Sequence, residues 1–315
     1  MTVVITGGAG FVGRHLAVHL RQAWPAARLV IWDRSPGSRE QNTETVPVDI
    51  TQPKSYQDSL QKNQPDWMVH LAAMASVSVV LQQPREARRV NVMGTQHLLE
   101  SIEKYSSHTR MLAVSSADIY GATSGQHATP LPELPLDEIR PTNPYAKSKW
   151  NMEKIIQERY QKRCLIVRPF PHIGPGQQLG FVTADFASQI AAIEAGHKDP
   201  HLYVGNLEAV RDFTDVRDVA RAYRLLMEKG EIGEVYNVAS GKGLKIRDLL
   251  NHLLALSTAQ ITVEQDPERM RPSDTPVLIG DATKLRHVTA WQPNIALEQS
   301  LHDVLTVWRH SGRAV

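Results

Sequence analysis

Val3-Val4-Ile5-Thr6-Gly7-Gly8-Ala9-Gly10-Phe11-Val12-Gly13 is the stretch on which the reading of the whole chain turns. The apolar run is short enough for a buried strand. Beyond the glycines, apolar residues recur at Phe11, Val12, Leu16, Val18 and Leu20, as in a helix packed on a sheet. In a strand, glycine turn and helix the glycines serve different ends. Gly7 makes the tight turn, Gly10 lets backbone approach a pyrophosphate, and Gly13 brings helix close to strand. The helix N-terminus, opened by Phe11 and Val12, offers unpaired N–H groups to the phosphates. Glycine turns also occur without a ligand, so the second strand carries weight. Leu29-Val30-Ile31-Trp32 ends at Asp33, about 20 residues past the last glycine, where a carboxylate can accept the hydroxyls of an adenosine ribose. It would repel a 2′-phosphate and so favours NAD(H). Arg34 beside it could pair with that phosphate, which leaves NADP(H) open.

At 315 residues and 42% hydrophobic content, the chain has room for one large α/β unit with a smaller companion. Its 35 basic and 33 acidic residues leave a net charge of +2, which gives no general drive toward nucleic acid or an anionic membrane. An anionic ligand must be met by local charge. The single cysteine, Cys164, sits in an apolar run and reads as a small buried hydrophobe, and no intrachain disulfide can form. Thirteen histidines include no His-Glu-x-x-His and one cysteine cannot build a thiolate cage, so no metal centre is expected. No apolar run approaches the ~18 residues of a spanning helix, and no basic leader precedes the first strand. A cytoplasmic protein is expected.

Short apolar runs near Val3–Thr6, Leu29–Trp32, Val46–Val48, Trp67–Leu71, Met111–Val114 and Cys164–Val167 alternate with helical patterns, the signature of an α/β, doubly wound parallel sheet. Asp49 and Ile50 follow the third run, where they can reach an adenine. Leu71, Ala72 and Ala73 follow the fourth, where small residues let the chain pass close to a cofactor. Helices are expected over Pro84–Tyr105, with Gly94 packed tightly inside, and over Pro144–Gln161, capped by Asn143. From Pro169 onward Pro and Gly crowd together, which sets a boundary. Residues 1–168, with a return segment over about 209–240 ending in a strand at Val235–Val238, form the dinucleotide-binding domain. Residues 169–208 and 241–315 form a smaller C-terminal substrate domain.

Tyr145 and Lys149 stand at i and i+4, projecting from one helix face. A tyrosine near pKa 10 is a poor base at neutral pH, whereas an adjacent ammonium would stabilise its phenolate and could also hold a nicotinamide ribose. Ser115-Ser116, just past the fifth strand, supplies a hydroxyl to orient a reacting oxygen.

With Gly7-x-x-Gly10-x-x-Gly13, His70-Leu71-Ala72-Ala73, Asn91-x-x-Gly94-Thr95, Ser116-Ala117-Asp118-Ile119-Tyr120-Gly121, Tyr145-x-x-x-Lys149, Arg168-Pro169 and Arg211-Asp212-Phe213, the chain resembles the extended short-chain dehydrogenase/reductases over nearly its full length. The resemblance implies a Rossmann fold, catalytic Ser116, Tyr145 and Lys149, and a nucleotide sugar bound between two domains. It also implies a homodimer built on the Pro84–Tyr105 and Asn143–Gln161 helices.

The segments His172-Ile173-Gly174-Pro175-Gly176-Gln177, Gly180-Phe181-Val182-Thr183, Val204 to Val216 and Arg271-Pro272-Ser273-Asp274 look most like the branch acting on GDP-linked 6-deoxyhexoses, the GDP-6-deoxy-D-lyxo-4-hexulose reductases and GDP-mannose 4,6-dehydratases. By that resemblance His172 would touch the cofactor, and Phe181, Val182, Asn206, Arg211, Arg271 and Asp274 the substrate. Arg211 and Arg271 would clamp the diphosphate, unless each is held in an internal salt bridge. Pro171 stands where the family usually has asparagine, which removes a side chain able to bond the sugar or phosphate. Asp118 takes the place of the dehydratases' glutamate and is a methylene shorter, about 1.5 Å. The expectation is therefore reduction of a 4-keto sugar, with 4,6-dehydration, 4-epimerisation and dinucleotide sensing without turnover as the alternatives.

Overall fold

The computed structural model describes residues 1–35, 43–125, 129–269 and 275–311. Six strands, β1 Thr2–Thr6, β2 Arg28–Asp33, β3 Thr43–Pro47, β4 Trp67–His70, β5 Arg110–Val114 and β6 Cys164–Pro169, join Val235–Val238 in one sheet. Its order is Val235–Val238, β6, β5, β4, β1, β2, β3. Every neighbouring pair in it is parallel. Both faces are covered, which is why these strands read as apolar runs rather than alternating ones. On one face Leu16 and Leu20 of helix Phe11–Ala23 meet Val219, Tyr223 and Leu226 of helix Val216–Lys229. On the other, Leu98, Leu99 and Ile102 meet Met152 and Ile156. Each such fully buried side chain contributes about 1.5–3 kcal/mol relative to exposure. The order reverses direction beside β1 and β4, and a crevice opens there at the strands' carboxyl ends.

The expected helix from Pro84 runs through Pro84–Arg88, a π turn over Arg89–Gly94 and Thr95–Tyr105. A Cβ on Gly94 would lie 3.0 Å from the Ile50 side chain, so the tight packing expected of it is present. Helix Pro144–Ile155 starts as Asn143 and Pro144 direct: the Asn143 side chain accepts the Ala146 N–H at 2.9 Å, and proline takes the first turn where its missing N–H costs nothing. It continues as a π turn and a 3-10 turn to Arg163.

A separate core joins Phe186 and Ile190 of helix Val182–Glu194 to Leu249 and Leu253 of Ile246–Ala255 and Leu301 and Leu305 of Leu297–His310. Helix Thr283–Thr289 departs from the expected assignment of 241–315 to this unit. Its Leu285, with Ala282 and Trp291, is buried in the core of the large sheet, and the Trp291 indole donates to the Asp218 carbonyl at 2.9 Å. Strand Val46–Val48 is likewise displaced, to Thr43–Pro47. Two short elements had no legible signal: helix Val77–Gln82, and the parallel pair His172–Ile173 with Thr214–Asp215.

Candidate active site

The crevice is a cleft of about 950 Å³, walled by the glycine turn, the ends of β2 to β6, helix Val77–Gln82 and the segment from Pro169 to Thr183. Gly7, Gly10, Phe11, Val12, Gly13, Asp33, Arg34, Asp49, Ile50, Leu71, Ala72 and Ala73 all line it. Gly7 has φ +68°, and a Cβ there would sit 2.8 Å from the Ala72 nitrogen, so both conformation and space require glycine. Gly13 does not meet the strand as expected. A Cβ on it would strike the Gly8 backbone at 2.5 Å, and it is Gly8 that abuts the strand, where an added Cβ would lie 2.7 Å from the Ile31 side chain. The reason is that the helix lies against the turn that leads into it.

This end of the cleft is braced. The Asp33 carboxylate accepts the Ala9 N–H at 3.1 Å and the Ser35 N–H at 3.2 Å, tying β2 to the glycine turn. Asp49 accepts from the Thr51 N–H and hydroxyl at 2.9 and 2.7 Å, and Arg89 reaches the same hydroxyl. Between β1 and β4, His70 lies buried with Nδ1 2.8 Å from the Thr6 hydroxyl and Nε2 2.9 Å from the Thr95 hydroxyl. The Thr95 hydroxyl donates to the Asn91 carbonyl at 2.8 Å, so it receives from His70 Nε2–H. Thr6 in turn donates to Nδ1 while taking the Ala72 N–H. Burial, reinforced by the Lys149 charge, pushes the His70 pKa down to about 3 and keeps the ring neutral.

The reacting end brings Ser116, Asp118, Tyr145 and Lys149 to one place. Tyr145 and Ser116 both line this end of the cleft, and the Ser116 oxygen accepts the Asp118 N–H at 3.1 Å. Burial raises the Asp118 carboxyl above its ordinary value, and the Arg211 charge opposes it. Tyr145 is raised by burial and then by Asp118, not lowered as expected from a neighbouring ammonium. Lys149 explains this: its Nζ donates to the Val114 carbonyl at 2.8 Å. Burial brings Lys149 down to about 8, against the field of Glu153.

Across the cleft stand Pro171, His172, Phe181 and Val182. His172 stacks on Phe11 with centroids 6.2 Å apart, so the second unit touches the glycine helix directly. Pro171 still uses its carbonyl, accepting the Thr214 N–H at 3.1 Å. Asn206 and Arg211 are not among the lining residues. The Asn206 side chain accepts the Glu208 N–H at 2.9 Å, and an Arg211 Nη1 donates to the Val210 carbonyl at 2.8 Å. Arg271 and Asp274 lie outside the described residues.

Four lining residues carry buried side-chain atoms with no hydrogen-bond partner: Ser115 Oγ, Gln177 Oε1, Thr183 Oγ1 and Tyr223 OH, of which Tyr223 alone lies in no motif read from the sequence. Native proteins rarely leave such groups unmatched. A long, phosphate-ready cleft with polar atoms unmatched at its inner end fits a dinucleotide. No group of three or more His, Cys, Asp or Glu side chains able to hold a metal occurs among the described residues, and no helix among them is long and apolar enough to cross a membrane.

The profile of the family described as GDP-mannose 4,6 dehydratase matches residues 4–304. The chain belongs to this family. Within it, 37% of 309 residues are identical to a GDP-6-deoxy-D-mannose reductase of Pseudomonas aeruginosa, covering 96% of both chains. A GDP-6-deoxy-D-talose 4-dehydrogenase of Aggregatibacter actinomycetemcomitans is 31% identical over 294 residues, 91% of both. The solved structure of RMD from Pseudomonas aeruginosa complexed with NADPH superposes with a TM-score of 0.85 at 34% identity, covering 98% of both chains. The fold is thus that of the extended short-chain dehydrogenase/reductases.

Proposed function

We propose that the protein reduces the 4-keto group of a GDP-4-keto-6-deoxyhexose with a reduced nicotinamide dinucleotide. The observation that carries this reading is the meeting of Ser116, Tyr145 and Lys149 in one cleft, at the strand ends of a chain so similar to a GDP-6-deoxy-D-mannose reductase. Tyr145, kept a phenol by burial, gives its proton to the C4 oxygen, and Ser116 orients that oxygen. Lys149 offers positive charge to the tyrosine as the phenolate forms and a donor to the nicotinamide ribose. The glycine turn and the helix end at Phe11 face the pyrophosphate, with Asp33 and Asp49–Ile50 toward the adenosine. Bound in this cleft, the dinucleotide supplies the hydride. Phe181 and Val182 wall the sugar side, while Asn206, Arg211, Arg271 and Asp274 are assigned to the nucleotide and diphosphate by family resemblance. Two copies pair through the outer faces of the Pro84–Tyr105 and Pro144–Ile155 helices, where Met93 is exposed.

The second reading, 4,6-dehydration of GDP-mannose, is favoured by the family and by the buried Asp118 carboxyl acting on Tyr145. Incubation with GDP-mannose, and separately with its 4-keto-6-deoxy derivative plus NADH or NADPH, separates the two. Consumption of reduced cofactor only with the keto sugar supports reduction; release of keto sugar from GDP-mannose supports dehydration.

A further inference from the structure

We propose that Glu153 is a positioning residue which, held by Arg168, keeps Lys149 charged and in place at the reacting end of the cleft. The inference rests on the reading of Lys149 as a working group of the site. Tyr145, Lys149 and Glu153 stand at i, i+4 and i+8 of helix Pro144–Ile155, on one face, and all three are buried.

The Glu153 and Arg168 side chains are wholly enclosed. Arg168 Nε donates to both carboxylate oxygens at 3.1 and 3.2 Å, and Nη2 donates to Oε2 at 2.8 Å. Nη1 donates to the Leu134 carbonyl at 2.7 Å and to the Tyr120 hydroxyl at 3.2 Å. That hydroxyl donates onward to the Asn237 side chain at 2.7 Å. The carboxylate is therefore fixed from β6, from the turn after Ser116 and from the sheet's edge strand.

A buried ion pair is a weak source of stability, because desolvating two charges offsets most of their attraction. This one has a second consequence. Lys149 is buried with the Val114 carbonyl as its hydrogen-bond acceptor, and burial alone favours the neutral amine. The titratable groups that interact with it are neutral His70 from β4 and Glu153 from its own helix, whose carboxylate is paired with Arg168 of β6. Of these, Glu153 supplies the negative field that retains the proton on Lys149. The rigid Arg168 fork stops the carboxylate from turning away.

The test is competitive acetylation by acetic anhydride across pH, read on the Lys149 peptide by mass spectrometry in the full chain without substrate or cofactor. The wild-type midpoint is expected at about 8. In Glu153→Gln it should fall by roughly one unit, and the alkaline limb of kcat should move with it while KM for the keto sugar changes little. Glu153→Gln leaves Arg168 buried without its counter-charge, so the paired replacement Glu153→Met with Arg168→Met serves where the single variant does not fold. It removes the carboxylate and the guanidinium together, so the midpoint should fall, by less than in Glu153→Gln. An unchanged midpoint in either folded variant overturns the proposal. Full turnover by Lys149→Met would instead remove the reading of Lys149 as a working group, and leave the acetylation result standing.

Discussion

The two ends of the cleft differ in how their polar groups are matched. At the adenosine end Asp33 and Asp49 have found partners within the chain. At the reacting end Ser115, next to Ser116, and Tyr223, which interacts with Tyr145, each carry a buried atom without one, as do Gln177 and Thr183 on the cleft wall after β6. A buried unmatched group costs about 1–3 kcal/mol, so the inner end is organised for a ligand to complete, and the outer end is organised in advance. Substitutions at the inner end should therefore change turnover more than binding, and those at the outer end the reverse.

The largest expected effect is on Tyr145→Phe. Loss of the acid should cut turnover by about 100- to 10,000-fold, with cofactor affinity, measured by fluorescence titration, close to wild type. Substantial residual turnover would remove Tyr145 from its role and break the contrast between the two ends.

Next is pH. Lys149 has its charge below about 8 and loses it above, so kcat should fall about tenfold per unit beyond pH 8. Its contribution to stability runs the other way. The unfolded chain keeps this proton up to about the ordinary 10.5, so between about 8 and 10.5 the unfolded state binds more protons and Lys149 adds stability as pH rises. A melting temperature that collapsed together with kcat just above pH 8 would mean that unfolding, not Lys149, sets the limb.

A smaller effect is expected from Asp118→Asn. A reductase needs no base at C5, so activity on the keto sugar should drop only a few-fold, on the scale of one polar contact. Loss of all turnover in that variant would give Asp118 a chemical role and move the reading toward dehydration.

The smallest effect concerns the outer end itself. Asp33, fixed by two backbone donors, should make NAD(H) bind more tightly than NADP(H), by less than about tenfold because Arg34 lines the same wall. Tighter NADP(H) binding in a titration, reversed by Arg34→Ala, would give control of the site to Arg34.

The same contrast explains what could be read from the sequence. Gly7, Asp33, the Asn143 cap and the Tyr145/Lys149 spacing are local instructions, and periodicity together with turn chemistry made the strands, the helices and most of the outer end legible. What escaped depends on residues far apart in the chain. Gly8 rather than Gly13 meets the strand because the helix folds back on its own turn. Lys149 takes the Val114 carbonyl as its hydrogen-bond acceptor because the end of β5 lies within its reach. Tyr223 looks like one more apolar position of an amphipathic helix, and only the packing of Val216–Lys229 on the sheet brings its hydroxyl to the cleft. Helix Thr283–Thr289 joined the wrong unit because a seven-residue amphipathic pattern does not say which core it faces.

The most direct test of the central claim follows the hydride. The protein is incubated with the GDP-linked 4-keto-6-deoxy sugar and reduced cofactor deuterated at both nicotinamide C4 positions, and the product is read by NMR. The expected result is one deuterium at sugar C4 for each cofactor oxidised. Oxidation of cofactor with deuterium elsewhere on the sugar, or no label in the sugar while GDP-mannose is converted to its keto derivative, would contradict it.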